Sequence, residues 1–167
     1  MEWAGLDLDI HGGECHALIG EKGAGKTTLV KIISGLTPAP RGEMRLSGEP
    51  FRPKTRRQAS ASGVRTVLQE LTAIDTLTVA ESIFIGTLPH RWGWLERDSL
   101  NRQARRLLDS LGLSGLDPQQ PISDLGIGQR QMVEVAGALS QPCRLLVLDE
   151  PTAALTATDV DRLFGVL

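Results

Sequence analysis

The stretch that decides the fold class of this chain is Gly20-Glu21-Lys22-Gly23-Ala24-Gly25-Lys26-Thr27-Thr28. It follows the apolar run 17–19 and precedes the segment 29–33, so the predicted order is strand, glycine loop and helix. Glycines permit backbone conformations and close approaches that a side chain would block. Their N–H groups, together with the positive end of the following helix, are suited to hold phosphate oxygens.

Two side chains of this loop suit the chemistry of a nucleoside triphosphate. Lys26 can reach the β- and γ-phosphates, and the Thr27 hydroxyl can ligate Mg²⁺. An ordinary glycine turn is the alternative interpretation, but the strand, the lysine and the hydroxyl together favour the phosphate-binding one. We therefore predict that residues 20–28 bind a nucleoside triphosphate.

The overall composition limits the remaining possibilities. The chain has 167 residues and a formal net charge of −2, so its length suits one domain and its charge does not indicate nucleic-acid binding. The basic clusters 52–57 and 102–106 are interpreted as solvated faces. Cys15 and Cys143 lie far apart and lack metal-ligand spacing, which favours a reduced compartment. No apolar run is long enough to span a bilayer, so we expect any membrane association to come through a partner.

The two ends of the sequence predict an α/β frame. Strands are predicted at 6–10 and 15–19 around a turn at His11-Gly12-Gly13, followed by a helix over 27–36. The continuous apolar run Leu145–Leu148 is typical of a strand buried on both faces of a parallel sheet. A last helix is predicted to begin near Ala157.

The middle of the chain, residues 71–142, predicts a helical insert within this frame. Thr78 and Glu81 have the spacing of a capping box at a helix start. A second helix is indicated by apolar residues on one face between Leu100 and Leu111, closed by Gly112. A loop is predicted before it, and a third helix over about 128–139 after it.

An acidic pair follows the apolar run 145–148. A carboxylate at the end of a buried strand is the Walker B arrangement, in which Asp149 can hold Mg²⁺ directly or through water. Glu150 is then placed to polarise the attacking water as a general base. Two acids capping the turn at Pro151 are the alternative, but the phosphate-binding loop earlier in the chain favours the catalytic interpretation.

A third motif makes the resemblance specific. The segment Leu125-Gly126-Ile127-Gly128-Gln129 resembles the LSGGQ signature of ATP-binding cassette (ABC) proteins, and Gln69 resembles their Q-loop glutamine. The order of loop, glutamine, signature and Walker B also matches. The resemblance implies one truncated ABC ATPase domain over 1–167, with a P-loop core (1–70 and 143–167) and a helical subdomain (71–142).

The way in which members of this family bind ATP implies roles for these residues. Two cassettes face each other head to tail, and ATP lies between the loop 20–28 of one and the signature 125–129 of the other. Glu150, Lys26 and Gln69 are then the expected catalytic residues. The expected metal ligands are Thr27, Gln69 and Asp149, with ATP and Mg²⁺ as the bound groups.

Several stretches resemble the first cassette of bacterial monosaccharide importers of the ribose, galactose and xylose type, among them 77–86, 128–136 and 149–156. This resemblance implies an ATPase that energises sugar uptake. It also implies a second cassette and membrane permease subunits as partners, and indirectly a periplasmic or extracellular sugar-binding protein. We expect a location on the cytoplasmic face of the plasma membrane and no nucleic-acid partner. A soluble ABC ATPase that acts on ribosomes or DNA is one alternative.

The sequence departs from the family at two site positions. Family members usually have serine at the position of Gly126 and asparagine at that of Lys22. Losing the serine hydroxyl removes one hydrogen bond to a charged phosphate, worth roughly 1.5–3 kcal/mol. The adenine-stacking aromatic and the switch histidine are not found, so we expect the chain to be a fragment. A nucleotide-binding remnant without turnover is therefore a second alternative.

Overall fold

The structure is a computed structural model in which the described residues are 6–21, 23–67, 74–88, 90–91, 94–149 and 157–166. The chain divides into two compact units, Met1–Arg65 and Thr66–Leu167. Within the described ranges, no helix is both long enough and apolar enough to cross a membrane.

The first unit contains two helices and a small hairpin. Its elements are α1 (Lys26–Ile33), β1 (Arg45–Leu46), β2 (Glu49–Pro50), α2 (Arg56–Ala61) and the start of β3 (Val64–Val67). β1 and β2 pair antiparallel, and the turn between them places Ser47 and Gly48 at positive φ. α2 is capped by Thr55, whose hydroxyl accepts from the Gln58 N–H at 3.2 Å. The buried apolar residues described in this unit include Val30, Ile32, Phe51, Ala59 and Val64.

The predicted strands at 6–10 and 15–19 do not form, although the turn between them does. The Glu14 N–H donates to the His11 carbonyl at 3.2 Å, and Gly13 has a φ of 83°. A strand requires a hydrogen-bonded neighbour, and the described residues provide no such neighbour for either segment. The apolar side chains therefore stay exposed, with Ile19 at 94% of its full accessible area.

The second unit is mainly helical and contains the larger core. Its elements are α3 (Val79–Ile83), β4 (His90–Arg91), β5 (Trp94–Leu95), α4 (Arg97–Ser110), a 3-10 turn (Ile122–Asp124), α5 (Ile127–Leu139), β6 (Leu145–Leu148) and α6 (Ala157–Val166). α3 packs against both α4 and α5. The close approach to α5 occurs at Gly137, where a Cβ would lie 3.4 Å from the Ile83 carbonyl oxygen.

The helices predicted for the insert are confirmed, with shifted ends. Thr78 forms the predicted capping box, because its hydroxyl accepts from the Glu81 N–H while its own N–H donates to the Glu81 carboxylate. This helix ends at Ile83. In α4 the predicted face is buried at Leu100, Ala104 and Leu108.

Two predictions for the second unit are wrong in part. The segment predicted as a loop before α4 contains the short antiparallel pair β4–β5. β6 has the predicted bounds, but its four residues are half-buried rather than fully buried. Among the described residues β6 has one neighbouring strand, β3, which leaves its other edge without a ladder partner. The Asp149 N–H donates to the Val67 carbonyl at the ends of both strands, so β3 and β6 run parallel.

We expect Gly35→Ala to destabilise the protein more than Gly42→Ala. Both glycines have positive φ, at 70° and 89°, so both alanines cost about 1–2 kcal/mol of backbone strain. A Cβ at position 35 would also lie 2.5 Å from the Thr55 carbonyl oxygen, whereas position 42 is open. We predict a total loss of about 3 kcal/mol for Gly35→Ala, measured by urea unfolding. Equal losses at the two positions would contradict the close contact at Gly35.

Candidate functional site

The glycine loop adopts left-handed backbone conformations at two of its three glycines. Gly23 and Gly25 have φ values of 90° and 93°, a region that residues with a Cβ enter only under strain. The Ala24 N–H donates to the Glu21 carbonyl at 3.1 Å, which makes a tight turn. At Gly20 the constraint is different and milder, since a Cβ there would make a tight contact of 3.3 Å with the Ala24 Cβ.

Lys26 brings a positive charge to this loop. The lysine is the first residue of α1, and its ammonium nitrogen donates to the carbonyls of Gly20 and Glu21, the latter at 3.0 Å. Thr27 and Thr28 follow in the first turn and are exposed. Lys22, the departure from the family pattern, lies outside the described residues.

The start of α1 is suited to an anion. A helix leaves its first N–H groups without intrahelical partners, and side chains usually cap them. The residue before α1 is Gly25, and no side-chain cap is formed there. Backbone donors, the helix dipole and the Lys26 ammonium are therefore grouped around residues 20–28, and this donor set fits a phosphate group.

The signature segment in the second unit has a similar helix start. α5 begins at Ile127, and the residue before it, Gly126, has no side chain with which to cap the helix. The Gly126 N–H itself donates to the Gln129 side-chain oxygen at 3.1 Å. Leu125 is buried and anchors the segment, whereas Ile127 is 58% exposed. The structure thus brings residues 125–129 together at an accessible helix N-terminus.

Sequence reasoning missed the residue that holds this helix start in place. The Arg130 guanidinium donates to the carbonyls of Leu125 and Ser123, both at 3.0 Å, and to the Asp75 carboxylate at 2.7 Å. The only signal in the sequence is an arginine directly after the motif, and such a residue is usually solvated. Its partner Asp75 lies 55 positions away, and nothing in the local pattern of either residue indicates the pairing.

Of the predicted Walker B and Q-loop residues, only Asp149 belongs to the described part of the chain. Asp149 is half-buried directly after β6, at the shared end of β3 and β6. Glu150 and Gln69 lie outside the described residues. Of the predicted metal ligands, Thr27 belongs to the first unit and Asp149 to the second, so the metal site remains a prediction. Among the described residues no three His, Cys, Asp or Glu side chains form a group that could hold a metal ion.

One carboxyl near the glycine loop in sequence has a shifted pKa. The His16 ring, with Nε2 2.8 Å from a Glu14 carboxylate oxygen, lowers the pKa of Glu14, and the His11 N–H adds to this effect. These contacts contribute to folding stability in full above the ordinary pKa of a glutamate. That contribution is lost as the pH falls through the lowered pKa of Glu14. Because these side chains are exposed, solvent screens the interaction, and its main role is to close the turn at 11–14.

Comparison with known proteins gives consistent matches. The sequence pattern of the family described as "ABC transporter" matches residues 3–153. The ribose import ATP-binding protein RbsA of Chromobacterium violaceum is 44% identical over 97% of this chain and 32% of that protein. The arabinose import ATP-binding protein AraG of Pectobacterium atrosepticum is 41% identical over 97% of this chain and 32% of that protein. The chain therefore spans about a third of the length of these curated relatives.

Solved structures match as well. The structure of cbiO1 from Clostridium perfringens, described as part of the ABC transporter complex cbiONQ, has a TM-score of 0.78 and 25% identity, over 97% of this chain and 64% of that one. The ADP conformation of MJ1267, described as an ATP-binding cassette of an ABC transporter, has a TM-score of 0.73 and 26% identity, over 89% of this chain and 62% of that one.

We expect Lys26→Met to weaken the binding of a fluorescent ATP analogue by about ten- to a hundredfold. The substitution removes one charged donor, and a hydrogen bond to a charged group contributes about 1.5–3 kcal/mol. Titration of the analogue in the presence of Mg²⁺ measures the change. Lys31→Met is the matched control, because Lys31 is exposed in the last turn of the same helix. An equal loss in both variants would remove Lys26 from the site.

Proposed function

Because the chain belongs to the ABC transporter family, whose pattern matches residues 3–153, we propose that it binds ATP with Mg²⁺ and hydrolyses it to energise carbohydrate uptake. The fold class predicted from residues 20–28 is confirmed as the P-loop NTPase fold of ABC cassettes. The observation that carries the proposal is the geometry of the glycine loop. Lys26 and the first-turn N–H groups of α1 converge there without a side-chain cap.

In this proposal each residue of the site has a separate role in binding or hydrolysis. The N–H groups of Gly23 and of residues 25–28 hold the β-phosphate, while the Ala24 N–H keeps its bond to the Glu21 carbonyl. The Lys26 ammonium exchanges its two backbone carbonyls for phosphate oxygens. The Thr27 hydroxyl is exposed one residue later and is assigned to Mg²⁺ with Asp149 and Gln69. Mg²⁺ neutralises charge on the β- and γ-phosphates when it is bound. Glu150 orients and deprotonates the attacking water.

A second cassette completes the site in this proposal. α5 begins at the exposed Ile127 with no side-chain cap, so its N-terminus can stabilise a γ-phosphate bound to another cassette. The signature residues 125–129 therefore act across a head-to-tail dimer. Closure of the dimer would bring one signature to each ATP, and hydrolysis would allow it to reopen.

Sugar import is proposed from the relatives and not from the site. Relatives named as ribose import and arabinose import ATP-binding proteins match 97% of this chain. We therefore propose membrane permease subunits as direct partners and a sugar-binding protein as an indirect one. The chain would then work on the cytoplasmic face of the plasma membrane, and no nucleic acid is assigned as a partner.

One observation favours a second candidate, a nucleotide-binding remnant with slow or no turnover. Gly126 occupies the position at which the family usually has serine, and its φ of −65° would accept any side chain. A Cβ there would meet only the Gln129 side-chain oxygen, at 3.8 Å. The local backbone therefore does not require glycine at position 126. Without the serine hydroxyl, the signature has one hydrogen bond fewer for the γ-phosphate.

We expect Gly126→Ser to strengthen ATP-dependent dimerisation by about tenfold, because it restores a hydroxyl at the N-cap of α5. Light scattering of the Glu150→Gln protein with and without the added serine measures the dimer. Gly115→Ser is the matched control, since that position is open and lies away from the helix start. If the serine leaves dimerisation unchanged, the signature does not contact the phosphate as proposed.

We expect Glu150→Gln to abolish Mg²⁺-dependent ATP hydrolysis while ATP binding is retained. The glutamine keeps the size of the side chain but cannot accept the proton from the attacking water. Phosphate release and binding of a fluorescent ATP analogue are measured on the natural full-length protein. Glu96→Gln, an exposed glutamate before α4, serves as the control. Hydrolysis that survives in Glu150→Gln would contradict the assigned base, and a wild-type protein that binds ATP without hydrolysing it would favour the remnant.

A further inference from the structure

The segment 74–80, which follows the Q-loop region, is joined to the segment 118–123, which precedes the signature, by a ladder of backbone hydrogen bonds. Thr78 and Pro121 form an antiparallel bridge at its centre. The N–H groups of Val79 and Ala80 donate to the carbonyls of Gln120 and Pro118, both at 2.9 Å. The two segments are therefore joined along most of their length.

At the other end of this ladder two bonds run in the opposite direction. The Ile122 N–H donates to the Leu77 carbonyl at 2.9 Å, and the Ser123 N–H donates to the Asp75 carbonyl at 3.2 Å. Asp75 is thus held by its backbone at the point where its side chain meets the Arg130 guanidinium. The chain at 74–77 cannot shift without displacing 122–123.

Arg130 fastens this paired unit to the helix that begins at Ile127. Three of its guanidinium N–H groups are used, on the Leu125 carbonyl, the Ser123 carbonyl and the Asp75 carboxylate. The side chain is 23% exposed and that of Asp75 is 65% exposed. A planar guanidinium that is bonded on several sides fixes direction as well as distance, which a lysine could not do.

We infer that Arg130 and Asp75 form a strut that makes the N-terminus of α5 follow the segment after Gln69. Arg130 is a positioning residue, because its described side-chain contacts are the carbonyls of Ser123 and Leu125 and the Asp75 carboxylate. The inference rests on the proposed function, since it assigns the regulation of the same signature site. Gln69 lies six positions before Asp75 in the sequence, so the strut holds a segment close in sequence to Gln69.

The strut predicts coupling and not merely stability. We expect Arg130→Gln and Asp75→Asn each to lower kcat for ATP hydrolysis by about tenfold in the natural full-length protein, with KM for ATP changed less than about twofold. The double variant should be no slower than either single variant, because one broken strut cannot be broken twice. Arg130→Lys should fall between wild type and Arg130→Gln, since it keeps the charge but loses the fork.

Arg105→Gln is the matched control. Arg105 also donates to a backbone carbonyl, that of Ser114 at 2.9 Å, and lies 3.8 Å from the carboxylate of Asp109. It lies on α4 and does not contact the signature segment. Its kcat should match wild type. Losses in Arg130→Gln and Asp75→Asn that multiply in the double variant, or an equal loss in Arg105→Gln, would overturn the strut.

A second measurement separates failure of the strut from failure of the proposed function. Hydrogen exchange is measured without nucleotide at two backbone N–H groups. The Gly126 N–H donates to the Gln129 side-chain oxygen, and the Arg130 N–H donates to the Gly126 carbonyl. We expect Asp75→Asn to speed exchange at both groups by about tenfold, although Asp75 contacts neither. Unchanged exchange overturns the strut even if the protein hydrolyses ATP. Faster exchange supports it even if the wild-type protein proves inactive.

Discussion

The constraint on which both candidate binding segments depend is that the first N–H groups of a helix need partners. In α2 and α3 threonine hydroxyls supply one of them, from Thr55 and Thr78. Before α1 and α5 the chain has Gly25 and Gly126 instead, and no side chain caps either helix. α4 also lacks a side-chain cap, so the missing cap becomes informative only with a glycine and a family motif beside it.

The two segments hold their helix starts in different ways. At α1 the support is local. The Ala24 N–H closes a tight turn on the Glu21 carbonyl, and the Lys26 ammonium donates to carbonyls five and six positions earlier. At α5 the support comes from distant parts of the chain. Buried Leu125, the ladder between 74–80 and 118–123, and the Arg130 guanidinium together orient the helix. A site held by such a ladder has a direct structural connection to a distant segment of its unit.

Local pattern was sufficient where a feature is stabilised within a few residues. The capping box at Thr78, the apolar face of α4 and the bounds of β6 all follow from short-range chemistry, and all were predicted. Local pattern failed where a strand required a neighbouring strand from elsewhere in the chain. Segments 6–10 and 15–19 have the composition of strands but find no ladder among the described residues, and the β4–β5 pair forms where a loop was predicted.

The sequence by itself determined the family and the P-loop fold, and it predicted the candidate site residues. It could do so because phosphate binding requires glycines, a lysine and acidic residues at set positions along the chain. The tertiary structure decided what holds those residues in position. The contact of Arg130 with Asp75 joins residues 55 positions apart, and the half-burial of β6 depends on which strand lies beside it. Neither depends on local pattern, since each arises only when distant segments pack together.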